Sequence, residues 1–242
     1  HQGVVEQDIR EPERTVVALY VSDQFRPFSR LTIDAGLRYQ AGLGQRAYRG
    51  ALLGGTGQPL ASAAIVWNFW REMHLKVNYA SGFRSPVFNN TDSNGAAVQF
   101  GGNRSLTNEN SQAFQSEWNA RVLRNIGPIR ALQLRVDYSY TQLDGLIVIS
   151  QGSYSNRRQD GHDNNDQSRR QIHSVEALAK LYAGDSAWTL GYTFLHIDTN
   201  DRGLLRSMPQ HTLSLGWVLP VVPSWLDLNG TLLLLSSYDD PN

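Results

Sequence analysis

Apolar and polar residues alternate in this chain with a period of two. Leu31, Ile33, Ala35, Leu37 and Tyr39 are separated by Thr32, Asp34, Gly36 and Arg38. The same spacing recurs in Met73, Leu75, Val77 and Tyr79, and again in Leu132, Leu134, Val136, Tyr138 and Tyr140. Trp188, Leu190, Tyr192 and Phe194 repeat it, as do Leu213, Leu215, Trp217 and Leu219. Successive side chains of a strand point to opposite faces, so each stretch is a strand with one apolar and one polar face. Helices need apolar spacings of three and four, which these stretches lack. The fold class is all-β.

About ten strands follow from this pattern, with ends uncertain by roughly 2–4 residues: 15–26, 30–40, 60–70, 72–81, 112–124, 129–142, 172–183, 186–197, 209–219 and 225–236. They are longer than the ~5–6 residues typical of soluble strands and suit the ~9–11 residues of a strand that crosses a bilayer. Short turns near 26–30, 70–73, 125–128, 184–186 and 220–224 alternate with long connections at 41–59, 82–111, 143–171 and 198–208. In an up-and-down meander, alternate connections lie at the same end of the strands. One rim therefore carries the tight turns and the other the long polar loops, as in outer-membrane barrels.

The aromatics and charges fit the same picture. Trp67, Trp70, Trp188, Trp217 and Trp225 lie near short turns, while Tyr39, Tyr79, Tyr138 and Tyr140 lie where strands run into long loops. Amphipathic rings belong at headgroup depth, which makes two girdles. Trp70 falls out of parity with its strand. Asp34, Arg38, Lys76, Arg135, Asp137, Glu176 and Lys180 alternate with the apolar set. Because Arg or Lys in mid-bilayer costs ~2–4 kcal/mol, these charges belong on an inner, wet or plugged face.

Composition narrows the function classes. The 242 residues include 22 basic and 22 acidic side chains, a balance that argues against a nucleic-acid binder. Without cysteine there is no disulfide, thiolate metal site or cysteine nucleophile. No segment approaches the ~18 consecutive apolar residues of a membrane helix. The motifs H-E-x-x-H, G-x-S-x-G, Walker A and G-x-G-x-x-G do not occur, so no catalytic residues, cofactor or enzymatic activity is assigned. Gly54-Gly55-Thr56-Gly57 lies in a strand-to-strand connection and reads as a flexible loop. Asp160, His162, Asp163 and Asp166 do not have the spacing of a Ca²⁺ loop, so the reading there is a solvated loop and no metal site.

Four sequence elements, in order, also carry a family resemblance. Residues 20–39, YVSDQFRPFSRLTIDAGLRY, resemble the strand–turn–strand of TonB-dependent outer-membrane receptors ending in a GLRY-type motif. Residues 79–88, YASGFRSPVF, are similar to that family's Y-x-x-G-F-R-x-P-x-F signature. Asn103, Leu106, Glu109 and Ser111 follow its N-P-x-L-x-P-E-x-S element, with Arg104 and Asn108 in place of the prolines and Gln115 at a usual Glu position. Pro209-Gln210-His211 resembles the P-x-H before a late strand.

The resemblance implies a transmembrane antiparallel up-and-down β-barrel, with this chain as an incomplete part of a roughly 22-stranded barrel. Residues 15–242 are expected to be a partial barrel domain, without the plug domain and the closing strands. Residues 1–14 are expected to be a loop or the end of a preceding strand. The implied function is TonB-dependent uptake of a scarce nutrient complex, such as a siderophore–iron chelate, across the outer membrane of a Gram-negative bacterium. A porin-like passive channel and a barrel adhesin are the alternatives. The implied partners are the TonB complex, through the plug, outer-membrane lipid or lipopolysaccharide, and a small-molecule or metal-chelate ligand. Candidate ligand-binding residues are Phe83, Arg84, Phe88 and Phe100 in one long connection and Arg157, Arg158 and His162 in another. Aromatic and guanidinium groups suit a chelated, anionic ligand. The segment containing Phe83 and Arg84 can equally serve to pack the strand end.

Overall fold

The computed structural model describes residues 13–46, 52–53, 57–87, 100–101, 105–150, 160–164, 169–198, 208–222 and 225–237. They build an 11-stranded sheet. Its path runs β1 (Glu13–Phe28), β2 (Leu31–Arg46), β4 (Gly57–Trp70), β5 (Met73–Arg84), β7 (Glu109–Ile126), β8 (Ile129–Asp144), β11 (Arg170–Ala183), β12 (Ser186–Asp198), β13 (His211–Val222) and β14 (Leu226–Leu235). Neighbours on this path are antiparallel throughout. The short β3 (Leu52–Leu53) pairs β2 off the path. Each expected strand therefore falls on one long strand of an up-and-down meander, and β1 and β14 stand at its edges.

The hairpin turns are tight because their residues accept unusual backbone angles. Ala183 pairs Ser186 across a two-residue turn in which Gly184 has φ +55°. At this angle a side chain would crowd the backbone, so glycine fits. Trp70 likewise pairs Met73, with Glu72 at φ 61°. A register shift between Trp67 and Trp70 aligns Trp70 with Met73, a residue of the apolar face. That one-residue bulge resolves the parity mismatch expected from sequence.

Cross-strand register sorts the two faces cleanly. Leu31, Trp67, Leu75, Trp118, Val136, Ala177, Tyr192, Leu213 and Leu234 form one continuous row on the apolar face. This row begins at the first residue of β2, beside a short turn. It ends next to the last residue of β14, far from that strand's short turn. Such accumulated stagger is what a tilted, barrel-forming sheet requires.

Burial is slight on both sides. Among the described residues, the buried ones are Gly42, Pro86, Leu106, Glu109, Ala120 and Asp137. Large apolar side chains instead stand exposed on one face, including Leu19 at 71% and Leu37 at 61%. An apolar surface of this extent needs an apolar medium against it. The opposite face carries the charges expected there: Lys76, Glu117, Asp137 and Glu176 are consecutive cross-strand partners.

Candidate functional site: the long-loop rim

At the loop end of β5 and β7, Arg84 is in register with Glu109, and Phe83 with Asn110. The Arg84 guanidinium grips the Glu109 carboxylate through Nε and, at 2.8 Å, through Nη2. Glu109 is buried while Arg84 remains largely exposed, so the ion pair lies across the edge of the wall. Oε1 of Glu109 also accepts the backbone N–H of Ile147 at 2.8 Å. That residue begins β9 (Ile147–Ser150), inside the next long connection. One carboxylate thus joins two strand ends to the root of a loop. Bidentate Arg–carboxylate pairs hold orientation as well as charge.

The loops themselves pair. β6 (Phe100–Gly101), β10 (Asp160–Asn164) and β9 form a three-stranded sheet in the order β6-β10-β9. Asp160 is in register with Phe100 in a parallel pairing, and His162 with Ile149 in an antiparallel one. Phe100 and His162, expected in separate connections, therefore sit on adjacent strands of one loop sheet. Phe83 and Arg84 end β5 below it. Phe88, Arg157 and Arg158 lie outside the described residues.

Further polar contacts at this rim are long in sequence. Gln58 donates from Nε2 to Asn110 Oδ1 at 2.6 Å, and Asn108 donates from Nδ2 to Gln58 Oε1 at 3.3 Å. The guanidinium of Arg14 on β1 donates to the carbonyl of Pro86. Arg169 donates from Nε to Asp144 Oδ1 at 2.8 Å, and that hydrogen bond, with the carboxylate charge, raises the Arg169 pKa further above its ordinary value. Sequence reading alone does not single out Glu109 as a site residue. The available signal is an acid in one family-like element and a base in the other, each at a strand end.

The inner wall below carries a hydrogen-bonded series. Asn78 donates to Gln115 at 3.2 Å, and Gln115 donates to buried Asp137 at 2.8 Å. Arg135 approaches Glu176 at 3.5 Å. No group of three or more metal-ligating side chains is gathered among the described residues. What the arrangement offers chemically is a polar inner wall topped by interlocked loops.

A tilted antiparallel meander with one lipid-compatible face, a charged inner face and all its long loops on one rim defines a transmembrane β-barrel wall. A family model described as TonB dependent receptor-like, beta-barrel, matches residues 4–241. The chain belongs to that family, whose members are transporters and receptors rather than enzymes.

Solved structures agree in fold. The FrpB iron transporter from Neisseria meningitidis is 13% identical, with a TM-score of 0.65 over 90% of this chain and 32% of its own. The Serratia marcescens hemophore receptor HasR, in complex with its hemophore HasA and heme, is 17% identical, with a TM-score of 0.72 over 98% of this chain and 46% of that one. The siderophore receptor PirA from Acinetobacter baumannii is 15% identical, with a TM-score of 0.67 over 93% of this chain and 34% of its own. The chain thus spans less than half the length of these structures. No match is found among the curated proteins.

Proposed function

We propose that this chain forms part of the barrel wall and ligand-capturing rim of an outer-membrane receptor in a Gram-negative bacterium. The receptor takes up a scarce nutrient complex, of which a siderophore–iron chelate is the type. In this reading a plug domain and further strands outside residues 15–242 complete the barrel. The TonB complex supplies energy through that plug, and the wall makes and breaks no covalent bonds.

The observation that carries the reading is the joining of two long connections into one loop sheet above a charged inner wall. A passive pore needs no such interlocked rim, whereas capture of a large chelate needs several loops held in fixed relation. Family membership supports the energy coupling, and the neighbours described as iron transporter, siderophore receptor and hemophore receptor support the ligand class.

The test uses the natural-length protein in cells lacking their own siderophore receptors. Uptake of labelled ferric siderophores, screened over catecholate and hydroxamate types, is compared with and without functional TonB. Uptake that disappears without TonB is expected. Constitutive ion conductance in planar bilayers with no TonB-dependent uptake would favour the passive channel. Cell or surface attachment without uptake would favour the adhesin.

A further inference from the structure

On the membrane reading proposed above, the outward face of β8, β11, β12 and β13 changes character where it approaches the loops. Register puts Tyr79, Phe114, Tyr140, His173 and His196 in one row of direct cross-strand partners. The next row toward the loops is Ser81, Gln112, Gln142, Gln171 and Asp198. The outward face therefore passes from rings to amides within one step. In a bilayer such a junction marks headgroup depth.

The two halves of this girdle differ. On β5 and β7 the rings are Tyr79 and Phe114. On β11, β12 and β13 they include His173, His196 and His211, three of the chain's six histidines. The imidazoles are packed among other rings. Tyr140 and His173 have centroids 5.0 Å apart, His173 and His196 6.4 Å, Phe194 and His196 6.5 Å, and Phe194 and His211 5.1 Å. Tyr138 Oη lies 2.9 Å from His173 Nδ1, and Tyr192 Oη 2.8 Å from His211 Nδ1.

A tyrosine hydroxyl can donate to a neutral Nδ1, which leaves the ring proton on Nε2, or accept from a protonated one. In the first case, and in an imidazolium, Nε2 of His173 and of His211 carries an N–H on the far edge of the ring. A girdle that only anchored the wall would need no imidazoles, since tyrosine and tryptophan suffice. Imidazoles on three neighbouring strands at headgroup depth, two of them with Nδ1 held by a tyrosine, can offer ring N–H groups to the oxygens of a phosphate. Gln142 and Gln171 bring amides to the same junction. The acidic groups facing it are Asp198 and Asp144, and Asp144 is already held by Arg169.

We propose that the His173–His196–His211 belt binds the phosphate of lipid headgroups in the outer leaflet. The natural-length protein is reconstituted with dioleoylphosphatidic acid or with dioleoylglycerol, the same lipid lacking the phosphate. Retained lipid is counted by native mass spectrometry, and bilayer insertion is scored separately by protease protection.

Wild type is expected to retain the phosphorylated lipid roughly tenfold better, about the effect of one charge-assisted hydrogen bond. The triple variant H173F/H196F/H211F keeps the rings and is expected to lose the preference while inserting normally. The triple variant H173Q/H196Q/H211Q keeps neutral donors and retains part of it. An inserted Phe variant with undiminished preference overturns the proposal. So does a wild-type preference abolished by EDTA, which would mean the imidazoles hold a metal. Failure of the wild type to insert in any bilayer overturns the membrane reading instead.

Discussion

The two rims of this wall are made by different physics. At the short-turn rim each chain reversal is made locally, with Gly184 and Glu72 turning the chain within two residues. Neighbouring turns are then tied together: Glu72 to Arg121 and Arg124, and the Gly184 N–H to the Pro128 carbonyl. At the long-loop rim nothing local suffices. Arg84 meets Glu109, Gln58 meets Asn110, and Arg14 reaches Pro86, contacts that cross whole connections. The turn rim reverses the chain within each hairpin and adds ties such as Glu72–Arg124 afterwards, while the loop rim depends on particular pairs from the start. Loops positioned by a rigid scaffold are where binding residues concentrate, and here the scaffold extends into the loops.

The wall between the rims gives the largest expected effect. Leu190→Arg places a charge on the apolar face and should cost ~2–4 kcal/mol of folding stability in lipid vesicles. Thr193→Arg, on the inner face beside Glu176, should change stability far less. Equal costs measured by urea titration in vesicles would mean the faces are not distinguished by lipid.

At the loop rim, Glu109→Ala removes acceptors from Arg84 and from the Ile147 N–H. It should cost about 1–3 kcal/mol, as for a buried hydrogen-bonding group left unmatched. Hydrogen exchange should accelerate at 147–150 and, through the loop sheet, at 160–164 and 100–101, while β12 and β13 stay protected. Acceleration confined to 147–150 would show that the two connections move independently.

The turn rim should answer more weakly and only locally. Gly184→Ala adds a methyl group that meets nothing within 4 Å, so its cost is the left-handed backbone alone, about 1 kcal/mol. Exchange should rise at the β11–β12 turn and nowhere on the loop rim. The smallest effect belongs to Asp144→Asn, which breaks a largely exposed pair with Arg169 and should change stability by at most ~1 kcal/mol.

The comparison also explains what the sequence revealed. The ten long strands were legible because a wall with lipid on one side and polar groups on the other forces strict alternation. Their ends were not. β7 starts at Glu109, before the expected 112, because past the ring row even the outward face is polar, as at Gln112, Gln142 and Gln171. β2 runs to Arg46, past the expected 40, through a glycine-containing stretch, Ala41-Gly42-Leu43-Gly44, that reads as loop. β3, β6, β9 and β10 were invisible for a different reason. They are short loop pairings with no alternation to read. The Trp70 bulge needed a partner strand to be seen. At the rim, Phe83 and Arg84 stood out through a motif, while the role of Glu109 emerges only when strand register sets it opposite Arg84.

On the proposed reading, one face meets lipid and all long loops lie on one side of the membrane. The chain has no cysteine, so single cysteines can be introduced without background from it. The most direct measurement labels Ser85→Cys, Arg169→Cys, Asp185→Cys and Leu190→Cys in the natural-length protein on intact cells, using a membrane-impermeant maleimide. Ser85→Cys and Arg169→Cys should react at once, and Asp185→Cys only after the outer membrane is permeabilised. Leu190→Cys should react only with a lipid-soluble reagent. Equal labelling of Asp185→Cys and Arg169→Cys on intact cells, or ready aqueous labelling of Leu190→Cys, would mean that the rims or the faces are not separated by a membrane.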